Sequence, residues 1–290
     1  MNKNVVEVLN LDDVPNDDAQ SSFNNIKQRL MSKTSTKHPP VKAGQALSIL
    51  AIFGLFSFII TACGSNESET LPNRGKEYYP LTIGQTAIFD LDSVIYDPLP
   101  TGIKIDTYRW QAREVLSDTA RAKTGQLTYI IDRSIKTAAS LNWTPRETFG
   151  ASLTGDYALL SENNLTYIKF PTYFDVGTNW DGNIFNDVST KLDVAGEILE
   201  PFSKRWTFEV ISYGKAEKIG TKDYPDVLTI RAQSDPAILT EKRYSLEKYA
   251  KGVGLVHREI KILDTQKLDG TIVWEKKAQK GFIVRMTRTN

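Results

Sequence analysis

The chain is poor in the side chains from which catalytic centres are most often built. Of its 290 residues, one is cysteine and two are histidine. A single thiol excludes an internal disulfide, so the core alone must hold the fold. The histidines are His38 and His257, and His38 falls in a leader-like segment. A triad or a histidine metal site in the rest of the chain would have to be built on His257 alone. No phosphate-cradling glycine loop is present. Charge of either sign is also lacking in excess: 36 Lys and Arg face 35 Asp and Glu. That balance argues against a nucleic-acid binder, which usually shows a basic face or a high pI. Finally, no helical period is sustained beyond about three turns.

The most distinctive stretch present is Ala43 to Cys63, which carries no charge and is strongly apolar from Ala46 to Ile60. Lys33, Lys37 and Lys42 precede it, and the small residues Thr61 and Ala62 end it. Positive segment, apolar run and small residues, in that order, make a secretory signal. Two other readings remain open. An uncleaved membrane anchor needs roughly 20 apolar residues, which the uncharged span to Asn66 just reaches. A core helix apolar on all sides needs a large protein around it.

The run Ile60-Thr61-Ala62-Cys63 resembles the lipobox of bacterial lipoproteins, with the chain's lone cysteine at the required position. That resemblance implies a diacylglyceryl group on the Cys63 sulfur, cleavage before it and an acylated amine. The partner would be the lipid bilayer, gripped at about 0.8 kcal/mol per buried methylene. An acylated Cys63 also excludes a cysteine nucleophile and a thiolate metal site.

The expected organisation follows. Residues 1–62 are leader and signal peptide. Asp12, Asp13, Asp17 and Asp18 do not suit a signal's start, whereas Met31 opens a segment that does, so Met31 is the expected translation start. Residues 63–77 form a polar tether, and residues 78–290 a single antiparallel β domain. Glu67 and Glu69, close behind Cys63, resemble the surface-export signal of Bacteroidota lipoproteins. Tyr78-Tyr79-Pro80-Leu81-Thr82-Ile83-Gly84 is similar to the opening of many uncharacterised exported lipoproteins of that group. Tyr249-Ala250-Lys251-Gly252-Val253-Gly254-Leu255-Val256 is similar to a turn-and-strand found in several of them. The location these resemblances imply is the cell envelope, at the outer membrane, facing the periplasm or the surface.

Beyond Tyr78 the texture is that of strands: short runs of Val, Ile, Thr, Tyr, Phe and Trp between Gly, Pro, Asn and Asp. Strands are expected at 83–96, 108–113, 127–135, 165–170, 206–212, 226–232, 243–250, 255–262, 271–277 and 281–287. Ser245 to Lys251 also has the ends of a short helix, but the weak alternation through Tyr244, Leu246, Lys248 and Ala250 favours strand. Gly252 and Gly254 are expected at positive φ or beside a bulge. The fold class is mainly β: an antiparallel sheet as a sandwich or partly closed barrel, with few or no long helices.

Candidate chemistry is sparse. His257 reads as a half-exposed strand residue. Asp90 and Asp92 share one pleat face and are the carboxylates from which a glycan-directed hydrolase would be built. Asp181-Gly182-Asn183 to Asn186-Asp187 is oxygen-rich but lacks the twelve-residue calcium-loop pattern and its terminal glutamate, and so reads as a turn. Trp143, Tyr173, Trp180 and Phe185 fall in the least regular segments, where aromatic faces recognise glycans or lipids or else fill the core. The expectation is a non-enzymatic envelope lipoprotein acting in binding or as an accessory to an envelope protein, without metal or cofactor. A carboxylate hydrolase and a lipid or lipoprotein carrier are its rivals.

Overall fold

The computed structural model describes residues 5–7, 73–123 and 125–290. The signal-like run, Cys63 and the first part of the expected tether lie outside these residues. Of the stretch expected as tether, residues 73–77 are described, and they lie against the sheet. Asn73 bridges Tyr173, and the Gly75 amide donates to the Thr172 carbonyl.

Twelve strands form one continuous antiparallel sheet. Along the chain they are β2 (Thr86–Leu99), β3 (Gly102–Arg121), β4 (Leu127–Thr137), β5 (Thr144–Leu153), β6 (Tyr157–Glu162), β7 (Leu165–Pro171), β8 (Asn179–Trp180), β11 (Thr207–Ile219), β12 (Lys222–Gln233), β13 (Glu241–Ala250), β14 (Gly254–Asp264) and β15 (Lys280–Arg288). Their spatial order is β7-β6-β5-β4-β3-β2-β15-β14-β13-β12-β11-β8. A separate three-stranded patch joins β1 (Val5–Glu7), β9 (Lys191–Val194) and β10 (Glu197–Leu199). Among the described residues there are two single-turn helices, α1 (Gly75–Tyr78) and α2 (Trp274–Lys277).

The sheet curls until its two ends nearly meet. The Ile168 amide of β7 donates to the Gly182 carbonyl just past β8, and the Trp180 indole N–H donates to the Ile168 carbonyl, 3.0 Å away. On the same edge the Thr166 amide is bonded by Asn186 Oδ1. Residues 180–186 thus cover the β7 edge, whose bare N–H groups would otherwise invite another strand. Gly182 is required at this seam, because a Cβ there would lie 2.6 Å from the Phe208 ring. The result is a nearly closed barrel, within the expected fold class.

Period-2 burial sorts the side chains. On β13, Arg243, Ser245, Glu247 and Tyr249 are buried while Tyr244, Leu246 and Lys248 are less so. This rules out the helical alternative for 245–251. The main interior cluster gathers Tyr78, Phe170, Phe174, Trp206, Phe208, Val210, Leu228, Ile230, Tyr249, Ile262 and Phe282. α1 lays Tyr78 and Tyr79 across one end. The Tyr78 hydroxyl donates to Asp226 at 2.5 Å, the Gly252 amide donates to the Glu77 carbonyl, and the Tyr79 ring meets Phe170 and Tyr249 edge-on. Gly252 and Gly254 have φ of 72° and 93°, as expected for that turn.

One expected strand is corrected. Residues 271–277 do not pair into the sheet, and Trp274–Lys277 is helix α2. The reason is topological: β14 is already flanked by β13 and β15, and β15 by β14 and β2, so no edge is left for another strand. Trp274 instead packs against the cluster of Tyr96, Leu263, Ala278 and Ile283.

Candidate functional site

The barrel interior is divided by a layer of charge. Seven ionisable side chains point inward from β3 to β7 on one wall and from β13 and β14 on the other: Glu114, Arg133, Glu147, Glu162, Lys169, Glu247 and Arg258. Three pairs are set by sheet register alone, since Glu114 and Arg133, Arg133 and Glu147, and Glu247 and Arg258 are direct cross-strand partners. Arg133 binds Glu114 at 2.6 Å and Glu162 at 2.7 Å, and also holds Glu147.

Two further pairs, Lys169 with Glu247 and Arg258 with Glu162, cross the lumen and tie the walls together. Lys169 Nζ donates to Glu247 at 2.5 Å, and Arg258 lies 3.0 Å from Glu247 and 3.6 Å from Glu162. The Tyr249 hydroxyl also donates to Glu247. Low-dielectric surroundings make such pairs costly to break by removing one member.

The electrostatics differ from group to group. Burial alone would raise the Glu247 carboxyl, but Lys169, Arg258 and two hydrogen bonds outweigh it and hold the group at about 2. Glu162 is likewise lowered: its burial is outweighed by Arg133 and Arg258. Glu147 goes the other way, because burial and its neighbours Glu162 and Glu114 outweigh Arg133. Burial and Arg258 lower Lys169, against the pull of Glu247. Fully ionised, these seven groups would carry one negative charge in excess. The upward push on Glu147 opposes that excess.

Two cavities flank the layer. The smaller, about 80 Å³, is closed by Tyr79, Pro80 and Leu81 on the α1 side. The larger, about 340 Å³, has Arg133, Glu147, Glu162, Lys169, Glu247 and Arg258 as its floor. Its walls are apolar: Leu91, Trp110, Ile135, Ile260, Ile262, Phe282, Val284 and Met286 on one side, Leu192, Phe202, Trp206 and Phe208 on the other. Its volume lies in the range of small-molecule sites, which pair apolar walls with a few placed polar groups. The exposed Asn163, in the β6–β7 turn, marks its rim.

One lining residue stands out. Asn183 is 8% exposed, and neither its Nδ2 nor its Oδ1 has a partner. An unsatisfied buried polar group costs about 1–3 kcal/mol, and natural proteins rarely leave one.

The residues singled out from the sequence are placed elsewhere. Trp143 lies on the β4–β5 connection under Arg113 and Lys136. Tyr173 and Phe185 are 44% and 60% exposed near the β7–β8 seam, and Trp180 packs on Phe208 at the seam itself. None of the four lines the larger cavity. Asp90 and Asp92 lie on the outer surface, meeting Gln111 and Arg109. His257 is a half-buried strand residue bonded to Thr287. Asp181 and Asp187 accept hydrogen bonds within their own turns. Among the described residues, no three His, Cys, Asp or Glu side chains lie together as a metal site would require.

The interior residues carry a readable signal that composition hides. Arg133 has the pleat parity of Ile131 and Ile135, and Glu247 that of Ser245 and Tyr249, so each puts charge where an apolar residue is due.

Fold and lumen together define a class: a nearly closed antiparallel barrel with an amphiphilic interior cavity. No protein-family model and no curated protein matches the chain. Among solved structures, one similar chain is a Bacteroides fragilis protein proposed to be exported, with a YmcC-like fold. It is 11% identical, covers 73% of this chain and 98% of its own, and has a TM-score of 0.34. A second is a Parabacteroides distasonis protein proposed to be a lipoprotein, 14% identical, covering 75% and 97%, with a TM-score of 0.31.

Proposed function

We propose that the protein is a lipid-anchored envelope protein whose barrel binds a small amphiphilic ligand. The observation that carries the binding reading is the cavity of about 340 Å³ with apolar walls and a charged floor. Twelve strands enclose more space than an eight-stranded barrel, whose interior side chains nearly fill. Here the unfilled space lies against aliphatic and aromatic walls, which suit a hydrocarbon body, while the floor suits a polar end. The anchor reading rests on Ile60-Thr61-Ala62-Cys63 and the charged-apolar order before it. The two combine the expected binding protein with its carrier rival, and they draw no support from Asp90 and Asp92 on the outer face.

Native mass spectrometry of protein taken from its own membranes tests the cavity. The expected spectrum shows a bound species lost in Ile260→Trp, whose indole fills the lumen. A spectrum without adduct in both proteins counts against binding. Labelling cells with radioactive palmitate tests the anchor: label is expected in the wild type and absent in Cys63→Ser. Equal label in both would end the anchor reading.

A further inference from the structure

We propose that the face of the barrel along the β7–β8 seam rests on the phospholipid bilayer that holds the acylated Cys63. The inference rests on the anchor reading of Cys63 and adds to it which side of the domain meets the lipid.

The segment that leaves β7, crosses the seam and then covers the β7 edge carries large apolar side chains on its solvent side. Tyr173, Val176, Ile184, Phe185 and Val188 are 44%, 60%, 65%, 60% and 68% exposed. They are five of the sixteen large apolar side chains exposed among the described residues, and they fall within sixteen consecutive positions. Tyr157, the cross-strand partner of Pro171 and 39% exposed, adds a sixth. Single apolar side chains on a surface need no explanation, but a cluster marks a contact site.

Backbone bonds hold the segment in this place. The Gly177 amide donates to the Val210 carbonyl and the Val210 amide to the Thr178 carbonyl, so the first half lies along β11. The Gly182 carbonyl and Asn186 Oδ1 accept from the Ile168 and Thr166 amides and fix the second half along β7. Its three aspartates are engaged locally. Asp175 accepts from the Val176 amide and the Tyr213 hydroxyl, Asp181 from the Asn183 amide, and Asp187 from Ser189. Arg74 over the Tyr213 ring and Arg205 beside Asp181 add the opposite sign. A face of both signs around an apolar centre suits a zwitterionic lipid surface.

The occupant follows from where the chain enters. Asn73 bridges Tyr173, so the stretch from Cys63 arrives at this same face. Ten residue steps separate Cys63 from Asn73, a reach of at most about 36 Å. From Pro171 to Thr166 the seam runs about 17 Å at about 3.3 Å per residue. Both ends of the patch are therefore within reach of the anchor. Leu99, Ile103 and Ile105 are exposed too, but they belong to β2 and β3, about halfway round the sheet from the seam. Lipid is the apolar body that the anchor brings to the seam face.

An acylated Cys63 leaves no free thiol, so one introduced cysteine carries a nitroxide label at one place. Val176→Cys and Phe185→Cys put it on the seam face and Ile105→Cys on the opposite wall, all at exposed positions. The full chain, taken from its membranes, is placed in phosphatidylcholine nanodiscs. Collisions of the label with oxygen, which concentrates in lipid, are compared with collisions with a water-soluble nickel chelate. The oxygen-to-nickel ratio is expected to be at least about threefold higher at 176 and 185 than at 105. Val188→Cys supplies a further reading at the second end of the patch. Adding Ile184→Ser and Val188→Ser to the Phe185→Cys protein is expected to lower its ratio towards that at 105, with the protein still held in the disc.

Equal ratios at all three positions overturn the proposal, and a higher ratio at 105 moves the lipid contact to the opposite wall. A label at 185 shielded from both reagents overturns it as well and puts a protein, or a second copy of this chain, on the patch. Palmitate labelling is read on the same preparations. Acylated protein with equal ratios sinks this inference alone, whereas protein without acyl label sinks the anchor reading and this inference with it.

Discussion

Glu247→Gln isolates the charge that ties the two walls of the barrel together. The substitution keeps shape and volume while removing the carboxylate that Lys169 holds at 2.5 Å and Arg258 at 3.0 Å. Arg258 retains Glu162, but Lys169 keeps no other carboxylate within ion-pair distance among the described residues. Breaking a buried pair by removing one member costs about 3–5 kcal/mol. Glu247 and Lys169 are 6% and 7% exposed, so water offers little relief. Urea unfolding followed by tryptophan fluorescence at pH 7 reads the loss. The variant also predicts its own pH dependence. Burial and Arg258 already lower the Lys169 amine, and without Glu247 it falls further. The unfolded chain then binds a proton that the folded one does not, so the variant's stability rises with pH until the amine's ordinary value of 10.5. A loss below about 1 kcal/mol, with the same pH slope as the wild type, would refute the view that the lumen charges act as a bonded layer.

Acid should erase the difference between the two proteins. Glu247 is held at about 2 against an ordinary 4.5, so its contribution is present above 4.5 and disappears as pH falls through 2. At about 1.4 kcal/mol per pH unit, the gap between wild type and Glu247→Gln should close by roughly 3 kcal/mol between pH 5 and pH 2. Arg133→Met strands Glu114 and Glu147 and leaves Glu162 with Arg258 alone. Denaturation at pH 7 should show a loss of about 3–5 kcal/mol, partly recovered by mild acid as the carboxylates take up protons. Gly182→Ala drives a Cβ to 2.6 Å from the Phe208 ring. Overpacking of this kind costs about 1–3 kcal/mol, and faster hydrogen exchange of the Ile168 amide would locate that loss at the seam.

How much was legible in the sequence depends on the range of the interaction. β4, β7, β12, β13 and β14 are readable because alternation at Leu127–Ile135 or Leu255–Ile262 is a local property. The glycines at 252 and 254 are readable for the same reason. Trp274 misleads, because a residue with strand propensity needs a free edge and none remained. Trp143, Tyr173, Trp180 and Phe185 lie at a seam and on surface loops and not in the lumen, because irregular sequence marks connections and says nothing of which ones face the interior. The groups that form the lumen floor were hidden because Arg133, Glu162 and Glu247 resemble any strand charge until opposing walls are brought together. Asn183 reads in the sequence as part of a turn, which its backbone is.

Sequence alone determined the periodicity, the antiparallel β class and the presence of a lipobox-like cysteine behind an apolar run, because each depends on residues adjacent in the chain. Tertiary structure alone decided that the sheet curls until Ile168 meets Gly182, that charges from strands β6 and β7 bond across to β13 and β14, and that space remains between them. Closure is a sum of strand twist and stagger over the whole sheet. No window of the sequence contains it, and the cavity exists only once it is complete.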